Sequence, residues 1–277
     1  MIEKFKLRKL IEDALREDIG SGDVTTLAIV TDGRVGRAQA IAKSDTVVAG
    51  IEVFKEVFHV LGSDTVFKTA LTDGVLAQKG QVIAEIAGAL GEILSAERVA
   101  LNILQRMCGI ATLTRSYVDA VKGTKTRILD TRKTTPGLRD LEKYAVTVGG
   151  GLNHRTGLFG GVLIKENHIT AAGGITSAVE RVCHNVPVTL KIEVEVKNLE
   201  EVREALSADC DIIMLDNMDT VEMKEAISLI KGRALVEASG NVNLSNVREI
   251  AETGVDFISV GALTHSVPAA DISLIIS

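Results

Sequence analysis

The 277-residue sequence predicts an α/β protein whose second half forms a parallel sheet. Short apolar runs recur along this half, and the last four begin at residues 192, 212, 234 and 257, which lie 20, 22 and 23 residues apart. This spacing leaves room for one helix between successive strands, and apolar strands that alternate with helices are typical of parallel sheets. The six runs of this half therefore predict a barrel or a partial barrel.

The predicted elements of the second half follow one another along the chain. Strands are expected at residues 127–129, 162–164, 192–196, 212–215, 234–236 and 257–260. Helices are expected between the later strands, at residues 200–206, 221–230 and 246–252. Each helix lies in the connection between two successive predicted strands.

The first half of the chain is predicted to begin with a helix and to continue mostly as strands. Residues 3–18 place apolar side chains near helical spacing, and Gly20 provides a stop. From Arg37 to Ala87, short apolar runs are separated by glycines, and Asp73-Gly74 and Lys79-Gly80 are typical of tight turns.

A second long helix is predicted before the barrel-like half. Residues 92–108 have helical periodicity, and Gly109 is expected to end this helix. Helical periodicity then resumes to about Val121. The boundary between the two halves is therefore expected near residues 109–125.

The composition excludes several classes of protein. Hydrophobic residues make up 46% of the chain and charged residues 25%, which is typical of a globular protein and not of a disordered one. A net charge of -6 disfavours general binding to nucleic acid or to an anionic membrane. No stretch of about 20 apolar residues is present, and no signal peptide is expected at the N-terminus. Three cysteines without close pairs fit reduced thiols, so we expect a cytoplasmic protein.

Charged or phosphate-compatible residues lie at the end of every predicted strand of the second half. Because the carboxyl ends of parallel barrel strands share one face, these residues predict a common site. In chain order they include Asp130, Arg132, Lys133, Lys165, Glu193, Glu195, Asp216, Glu237, Ser239, Gly240 and Gly261.

The segment from residue 132 to 165 is basic. It carries Arg132, Lys133, Arg139, Lys143, Arg155 and Lys165 against Asp140 and Glu142, which gives +4 within an acidic chain. Arginine is suited to bidentate contacts with carboxylate or phosphate, and lysine acts as a point charge. Three of these residues directly follow apolar strands, which favours an inward-facing anion site over a solvated face. His154 could be a catalytic base or a donor to an anion, and its basic neighbours favour the donor.

The other predicted strand ends are acidic or rich in glycine. Glu195 and Asp216 could hold Mg²⁺ or ribose hydroxyls, or could pair with a nearby lysine. Gly240 and Gly261 allow backbone N–H groups to approach a phosphate. The basic segment, the acidic pair and the glycine-containing strand ends together suit 5-phosphoribosyl 1-diphosphate with Mg²⁺, beside a small carboxylated partner.

Two other chemistries remain open at this stage. A lyase could form a Schiff base at Lys165, but such a lysine needs apolar neighbours and this one has arginines. A ligand sensor without catalytic activity could use the same fold, and loss of the acidic pair would favour it. Both acids are present.

Motifs along nearly the whole chain resemble the quinolinate phosphoribosyltransferase family. The most specific is the ten-residue string Asp130–Arg139. The other matching strings are Gly22–Thr26, Glu97–Arg98, Leu104–Arg106, Gly109–Thr112, Glu142–Ala145, Asn153–Arg155, Leu163–Lys165, Glu193–Val196, Met214–Asn217, Glu237–Gly240 and Ser259–Leu263.

The resemblance implies a fold, a reaction and an assembly. The fold is an N-terminal α/β sandwich over residues 1–110, completed by the tail 268–277, and an incomplete α/β barrel over residues 111–267. The reaction converts quinolinate and 5-phosphoribosyl 1-diphosphate to nicotinate mononucleotide, CO2 and diphosphate in NAD biosynthesis. The family forms homodimers or higher oligomers, in which the arginine matching Arg106 enters the site of the neighbouring subunit.

The resemblance also implies a role for each matched residue. Quinolinate would be bound by Arg106, Arg132, His154, Arg155 and Lys165. Lys133 would lie between the two substrates and take part in catalysis with Glu195 and Asp216. These two acids would hold the ribosyl hydroxyls and Mg²⁺, directly or through water. The 5-phosphate would be bound by Ser239, Gly240 and Gly261.

One position departs from the family pattern. Family members often carry aspartate where this chain has Gly160. The change alters the surroundings of Arg155 and Lys165. It leaves open a relative with a shifted acceptor, such as the molybdenum-transport-associated branch, although the basic set favours a dicarboxylate.

Overall fold

A computed structural model of the chain describes residues 3–62, 64–69 and 71–277. The described residues form two compact units. The first unit comprises the described part of Met1–Arg115 with Thr135–Gly150 and Ser266–Ser277, and the second comprises Ser116–Thr134 and Gly151–His265. The predicted domain boundaries stay a prediction, and residue 1 lies outside the described part. No helix in that part has both the length and the apolar character needed to cross a bilayer.

Helices and strands alternate along the described chain. The first elements are α1 Lys4–Ile19, α2 Val24–Ile29, β1 Val35–Ala42, β2 Thr46–Val47, α3 Ile51–Leu61, β3 Val66–Thr69, β4 Leu76–Ala77, β5 Val82–Ala89 and α4 Leu90–Ala120. The next are β6 Arg127–Leu129, α5 Arg139–Val148, β7 Val162–Ile164, α6 Glu166–Ala172, α7 Ile175–Asn185, β8 Ile192–Val196 and α8 Leu199–Ser207. The last are β9 Ile212–Asp216, α9 Thr220–Ile230, β10 Leu235–Ser239, α10 Val247–Glu252, β11 Phe257–Ser259, α11 Ala262–His265 and β12 Ile272–Ile276.

The first unit contains an antiparallel sheet with strand order β12-β1-β5-β3 and a small pair formed by β2 and β4. Burial alternates along β1 and β5, as expected when one face of a sheet covers a core. The largest side chains of this core come from α1, α3, β5 and α4: Ile11, Phe54, Phe58, Ile83, Ile86, Ile93, Leu101 and Leu104.

The prediction of mostly strands between Arg37 and Ala87 was wrong for α3. Its apolar side chains include Ile51, Phe54 and Phe58, which lie three or four residues apart and are buried on one face. The β-branched and aromatic residues of this segment favour a strand, but the three- and four-residue spacing of its apolar residues is that of a helix, and the segment forms one. The Asp73 carboxylate accepts hydrogen bonds from the backbone N–H groups of Gly50 (2.9 Å) and Ile51 (3.0 Å), and so satisfies donors at the start of α3.

Gly109 does not end a helix, contrary to the prediction. Helix α4 is continuous from Leu90 to Ala120 and contains Gly109 within it. A Cβ atom at Gly109 would lie 2.2 Å from the carbonyl oxygen of Pro268, which belongs to the same unit. Glycine at this position therefore allows the backbone at Pro268 to lie close to α4, and it does not end the helix.

The second unit contains a six-stranded parallel sheet with order β6-β11-β10-β9-β8-β7. Its first strand, β6, pairs with its last, β11, as in a barrel. Among the described residues β6 and β7 do not pair, so this barrel order is open at one place. The predicted fold class, an N-terminal α/β sandwich with an incomplete parallel α/β barrel, is confirmed.

Three predicted strand bounds need correction. Strand β10 is Leu235–Ser239 and not 234–236, β9 extends to Asp216, and β11 ends at Ser259. The polar residue Glu237 was interpreted as lying beyond its strand. It lies within β10, and its side chain is buried.

Candidate functional site

The parallel register of the second unit brings the predicted site residues to one edge of its sheet. Ser239 on β10 pairs with Asp216 on β9, and Val196, which follows Glu195 on β8, pairs with Leu215. Lys165 directly follows β7. The edge therefore holds a carboxylate, a hydroxyl and an ammonium group on successive strands.

Lys165 and Glu195 form an ion pair across β7 and β8. The Lys165 ammonium donates to Oε2 of Glu195, and the lysine side chain is 46% exposed. The backbone N–H of Lys165 donates to Nδ1 of His168 at 3.0 Å, which fixes the start of α6. The structure therefore forms the lysine pairing that the sequence left open for Glu195. Because the ammonium group is half exposed, the pair contributes modestly to stability, and a ligand can exchange with it.

Lys133 and Gly261 lie together at the ends of β6 and β11. A Cβ atom at Gly261 would be 3.1 Å from Cδ of Lys133 and 3.1 Å from Nε2 of His265. The carbonyl oxygen of Lys133 accepts a hydrogen bond from the Thr264 hydroxyl at 2.8 Å. Glycine thus leaves space for the lysine stem, while α11 holds the backbone of the lysine in place.

Asn217, which sequence reasoning quoted but gave no role, joins the ends of β9 and β10. Its backbone has φ 55°, and its N–H donates to the Ser239 carbonyl oxygen at 2.9 Å. Its side-chain oxygen accepts from Asn241 at 2.9 Å and would lie 2.1 Å from a Cβ atom at Gly240. Gly240 itself has φ 97°, so both the backbone and the available space require glycine there.

Arg132 and Arg155 are close enough to affect one another. Burial and the positive charge of Arg132 lower the pKa of the Arg155 guanidinium. Arg155 donates from Nη1 to the Gly161 carbonyl oxygen at 3.1 Å. Nε of Arg132 is buried and has no hydrogen-bond partner within the part of the chain that the structure describes. Two neighbouring guanidinium groups repel each other, and an anion bound between them would relieve that repulsion.

His154 contacts two buried glutamates below the sheet edge. Its Nε2 lies 2.9 Å from Oε2 of Glu193 and 3.8 Å from Oε2 of Glu237. Its Nδ1 accepts the backbone N–H of Arg155 at 2.8 Å, and the backbone N–H of His154 donates to Oδ1 of Asp130 at 2.9 Å. Both ring nitrogens therefore have protein partners, which the interpretation of His154 as a donor to an anion had not considered.

Glu193 and Glu237 were noted near strand ends but were not selected as site residues. The side-chain alternation of a strand could have identified them, because each lies two residues before a selected residue on the same strand, Glu195 or Ser239.

Arg106 lies in the first unit, on α4. It donates from Nε to Oε1 of Glu142 at 2.7 Å and from Nη2 to the Thr135 hydroxyl at 2.9 Å. Oε2 of the buried Glu142 also accepts the backbone N–H of Thr135 at 3.1 Å. Arg139 and Lys143 belong to this unit as well, so the basic segment predicted from the sequence is divided between the two units.

Two groups of side chains could hold a cation. Ligand atoms of His154, Glu193 and Glu237 lie within 4.8 Å of one another. Nδ1 of His154 is an acceptor, so Nε2 of the neutral ring carries the hydrogen and is not a free ligand. Glu195 and Asp216 offer two carboxylates at the sheet edge. This donor set fits Mg²⁺, which usually keeps waters or substrate oxygens in its remaining positions.

Comparisons with known proteins agree along the whole chain. Residues 23–108 match the model of the quinolinate phosphoribosyl transferase N-terminal domain, and residues 110–275 match that of the C-terminal domain. A probable nicotinate-nucleotide pyrophosphorylase [carboxylating] of Synechocystis is 47% identical over 267 residues, covering 95% of this chain and 90% of its own length. A protein of Bacillus subtilis with the same description is 43% identical, covering 98% and 93%.

Solved structures give the same result. The crystal structure of NadC from Streptococcus pyogenes superposes with a TM-score of 0.96 at 38% identity, covering 100% of this chain and 98% of its own. A nicotinate-nucleotide pyrophosphorylase from Ehrlichia chaffeensis superposes with a TM-score of 0.94 at 41% identity, covering 100% and 99%.

Proposed function

The chain belongs to the quinolinate phosphoribosyltransferase family, and we propose how the edge of its parallel sheet carries out that family's reaction. The protein is a pentosyltransferase of NAD biosynthesis that converts quinolinate and 5-phosphoribosyl 1-diphosphate to nicotinate mononucleotide, CO2 and diphosphate. The observation that best supports our assignment of the site is the meeting of basic, acidic and glycine-containing strand ends at one edge of the second unit.

Quinolinate binds at the basic part of this edge. Arg132 and Arg155 are neighbouring guanidinium groups, and one donor of Arg132 has no hydrogen-bond partner within the described residues. Each can form two parallel hydrogen bonds to a carboxylate. Lys165 completes this side, His154 supports it through the backbone N–H of Arg155 that its Nδ1 accepts, and Arg106 is supplied by a partner subunit.

The phosphoribosyl donor binds at the acidic and glycine-containing part. The 5-phosphate is held by Ser239, Gly240 and Gly261, and the two glycines carry no side chain that would keep a phosphate from the backbone. Glu195 and Asp216 hold the ribosyl hydroxyls and Mg²⁺. Lys133, whose stem contacts the Gly261 position, lies between the two substrates.

The reaction needs positioning and charge more than a protein nucleophile. The ring nitrogen of quinolinate attacks the anomeric carbon while diphosphate leaves through an oxocarbenium-like transition state. Lys133 and the arginines hold the two anions in line and stabilise the charge that moves onto diphosphate. When bound, Mg²⁺ supplies further positive charge at the diphosphate. The ring nitrogen becomes cationic and stabilises the electron pair that stays on the adjacent ring carbon when its carboxylate departs as CO2. A proton from solvent then adds to this carbon.

Self-association and a cytoplasmic location are part of the proposal. Helix α2 has no buried residue in the isolated chain, and Val24, Leu27 and Ile29 are exposed on it. Large apolar side chains grouped on one short helix favour contact with a second protein surface. A homodimer or higher oligomer with shared sites fits this surface and gives Arg106 its role.

The Schiff-base alternative loses support at Lys165. This lysine is half exposed and paired with Glu195, whereas an amine that forms a Schiff base is usually desolvated so that its pKa falls.

One assay tests the proposed function. Purified protein is incubated with Mg²⁺ and 5-phosphoribosyl 1-diphosphate, with quinolinate or with nicotinic acid as the control acceptor. We expect equal amounts of CO2 and diphosphate from quinolinate and little diphosphate from nicotinic acid. Diphosphate release without CO2, or a preference for nicotinic acid, would contradict the proposal.

A further inference from the structure

Two buried carboxyl groups form a layer beneath the proposed substrate site. On β8, Glu193 lies two residues before Glu195, and on β10, Glu237 lies two residues before Ser239. Alternate residues of a strand face the same side, so each glutamate lies directly below a residue of the sheet edge. Glu193 and Glu237 are 4% and 1% exposed, far less than expected for unpaired carboxylates.

Glu193 and Glu237 can hydrogen-bond to one another only if one of them carries a proton, and the buried Ser259 hydroxyl is another donor close to Glu237. Oε1 of Glu193 and Oε1 of Glu237 are buried and lack hydrogen-bond partners among the described residues. Two ionised carboxylates can only accept hydrogen bonds, so they cannot satisfy one another. If one carboxyl is protonated, it becomes a donor to the other. Glu193 accepts the Nε2–H of His154 at 2.9 Å, which makes Glu193 the ionised member and Glu237 the one that carries the proton. Burial and the charge of Glu193 raise the pKa of Glu237, which agrees with this assignment.

The remaining carboxylate fixes the His154 ring. Because Nδ1 accepts the N–H of Arg155, the hydrogen of the neutral ring is on Nε2, from which it points at Glu193, 2.9 Å away. The ring therefore links the buried layer to the backbone of Arg155, whose guanidinium lies beside Arg132. A shift of Glu193 would be passed through one aromatic ring to the acceptor side of the site.

We propose that Glu237 is a positioning residue for the acceptor: its carboxyl group donates a hydrogen bond to Glu193, and Glu193 in turn holds His154 and the backbone of Arg155 in the geometry that quinolinate requires. The proposal rests on the assignment of quinolinate to the basic part of the site. Glu237 itself does not touch substrate. Glu195 and Ser239, which lie above the two glutamates, serve the donor, but the hydrogen bond from this layer to the site runs through His154, so we expect the acceptor to be affected more than the donor.

Two substitutions of similar size separate the hydrogen bond from packing. Glu237→Gln keeps a neutral group that can donate to Glu193, whereas Glu237→Met fills a similar volume without a donor. We expect Glu237→Gln to keep the KM for quinolinate within about threefold of wild type. We expect Glu237→Met to raise that KM about tenfold or more, the effect of a lost hydrogen bond to a charged group, with the KM for the phosphoribosyl donor changed less than about threefold.

An NMR measurement tests the same link without turnover. Long-range ¹H–¹⁵N spectra of the histidine rings report which nitrogen carries the hydrogen, and a His154→Gln variant identifies the relevant signal. We expect the Nε2–H form in wild type and in Glu237→Gln, and a mixture of the two tautomers in Glu237→Met. If wild-type protein does not use quinolinate, the proposed function fails, while the spectra still show whether the pair fixes His154.

Three results would overturn the proposal. Glu237→Met could match wild type in the KM for quinolinate and in the spectra. Glu237→Gln could be as impaired as Glu237→Met, which would mean that the charge of Glu237 matters and not a donated hydrogen bond. The two KM values could also rise together in Glu237→Met with a loss of thermal stability, which is the pattern of a general structural role.

Discussion

Glu195 and Glu193 lie on the same strand and face the same side, yet they differ in their partners. Glu195, at the sheet edge, pairs with the half-exposed ammonium of Lys165. Glu193, two residues deeper, contacts His154 and lies near a second buried carboxyl, that of Glu237. An ion pair at the edge can open when a ligand arrives, because water or substrate can replace either partner. Neither water nor substrate can replace the buried partners of Glu193. We therefore assign substrate binding to Glu195 at the edge and positioning to Glu193 below it.

The largest effect should come from removing the cation expected at the edge. Exhaustive chelation should reduce turnover to background, and added Mg²⁺ or Mn²⁺ should restore it, because two carboxylates and a diphosphate repel one another without a cation. Asp216→Asn should lower kcat/KM for the phosphoribosyl donor by about 10²-fold or more, the scale of one electrostatic contact to the transition state.

Steady-state assays with titrated Mg²⁺ would measure both effects. Asn217→Asp, at the next position, tests whether any change at this strand end gives the same loss. Full turnover after chelation would refute the requirement for a cation and leave Glu195 and Asp216 as contacts to ribose alone.

Acceptor choice should show the next largest effect. Quinolinate carries two carboxylates and nicotinate one, so nicotinate would leave part of the basic set without an anion. Each buried charged group left unpaired costs on the order of 1–3 kcal/mol, and we expect quinolinate to be preferred by at least about 10²-fold in kcat/KM. Equal values of kcat/KM for the two acids would mean that the basic residues serve another anion.

Arg106 extends the comparison to the first unit, where a buried carboxylate also holds a basic side chain. Glu142 accepts from Arg106 and from the backbone of Thr135, as Glu193 accepts from His154. Arg106→Ala should weaken quinolinate binding about tenfold to a hundredfold by calorimetry, with a smaller change for the phosphoribosyl donor. In mixed oligomers with Lys165→Ala, partial recovery of activity should follow if sites are shared. No recovery in demonstrated mixed oligomers would argue against the cross-subunit role.

The sequence predicted the edge of the sheet better than the layer below it. Lys165, Glu195 and Asp216 could be found because polar residues that end apolar strands are visible in a linear pattern. Glu237 was misplaced because a polar residue was interpreted as the end of β10, whereas its pairing with Met214 and Phe257 on the neighbouring strands shows that the strand continues. The pairing of Glu193 with His154 joins residues 39 positions apart, so no local pattern could reveal it.

The same limit applies to backbone features. Gly109 has the local signal of a helix stop, but Pro268 lies against it and the helix continues. Helix α3 has the composition of a strand and the period of a helix, and the start provided by Asp73 lies 22 residues away from Ile51. Local propensity is a weak guide where a distant group completes the hydrogen bonds.

The smallest expected effect is a difference in stability between two variants of β8, in which either Glu195 or Glu193 is replaced by methionine. Glu195→Met removes an ion pair whose lysine is half exposed and should cost about 1 kcal/mol of stability or less. Glu193→Met leaves the Nε2–H of His154 buried without its acceptor, which should cost about 1–3 kcal/mol. For a chain of this size, 1 kcal/mol corresponds to about 2–4 °C in Tm, so Glu195→Met should shift the midpoint by less than about 4 °C and Glu193→Met by more. Thermal unfolding of wild type and both variants, side by side in one buffer, measures the difference. Raising the salt concentration should reduce only the small Glu195 contribution, because screening acts mainly on exposed charges. Equal shifts in Tm for the two variants would mean that Glu193 is held no more firmly than Glu195. That result would contradict the assignment of positioning to Glu193 and of binding to Glu195.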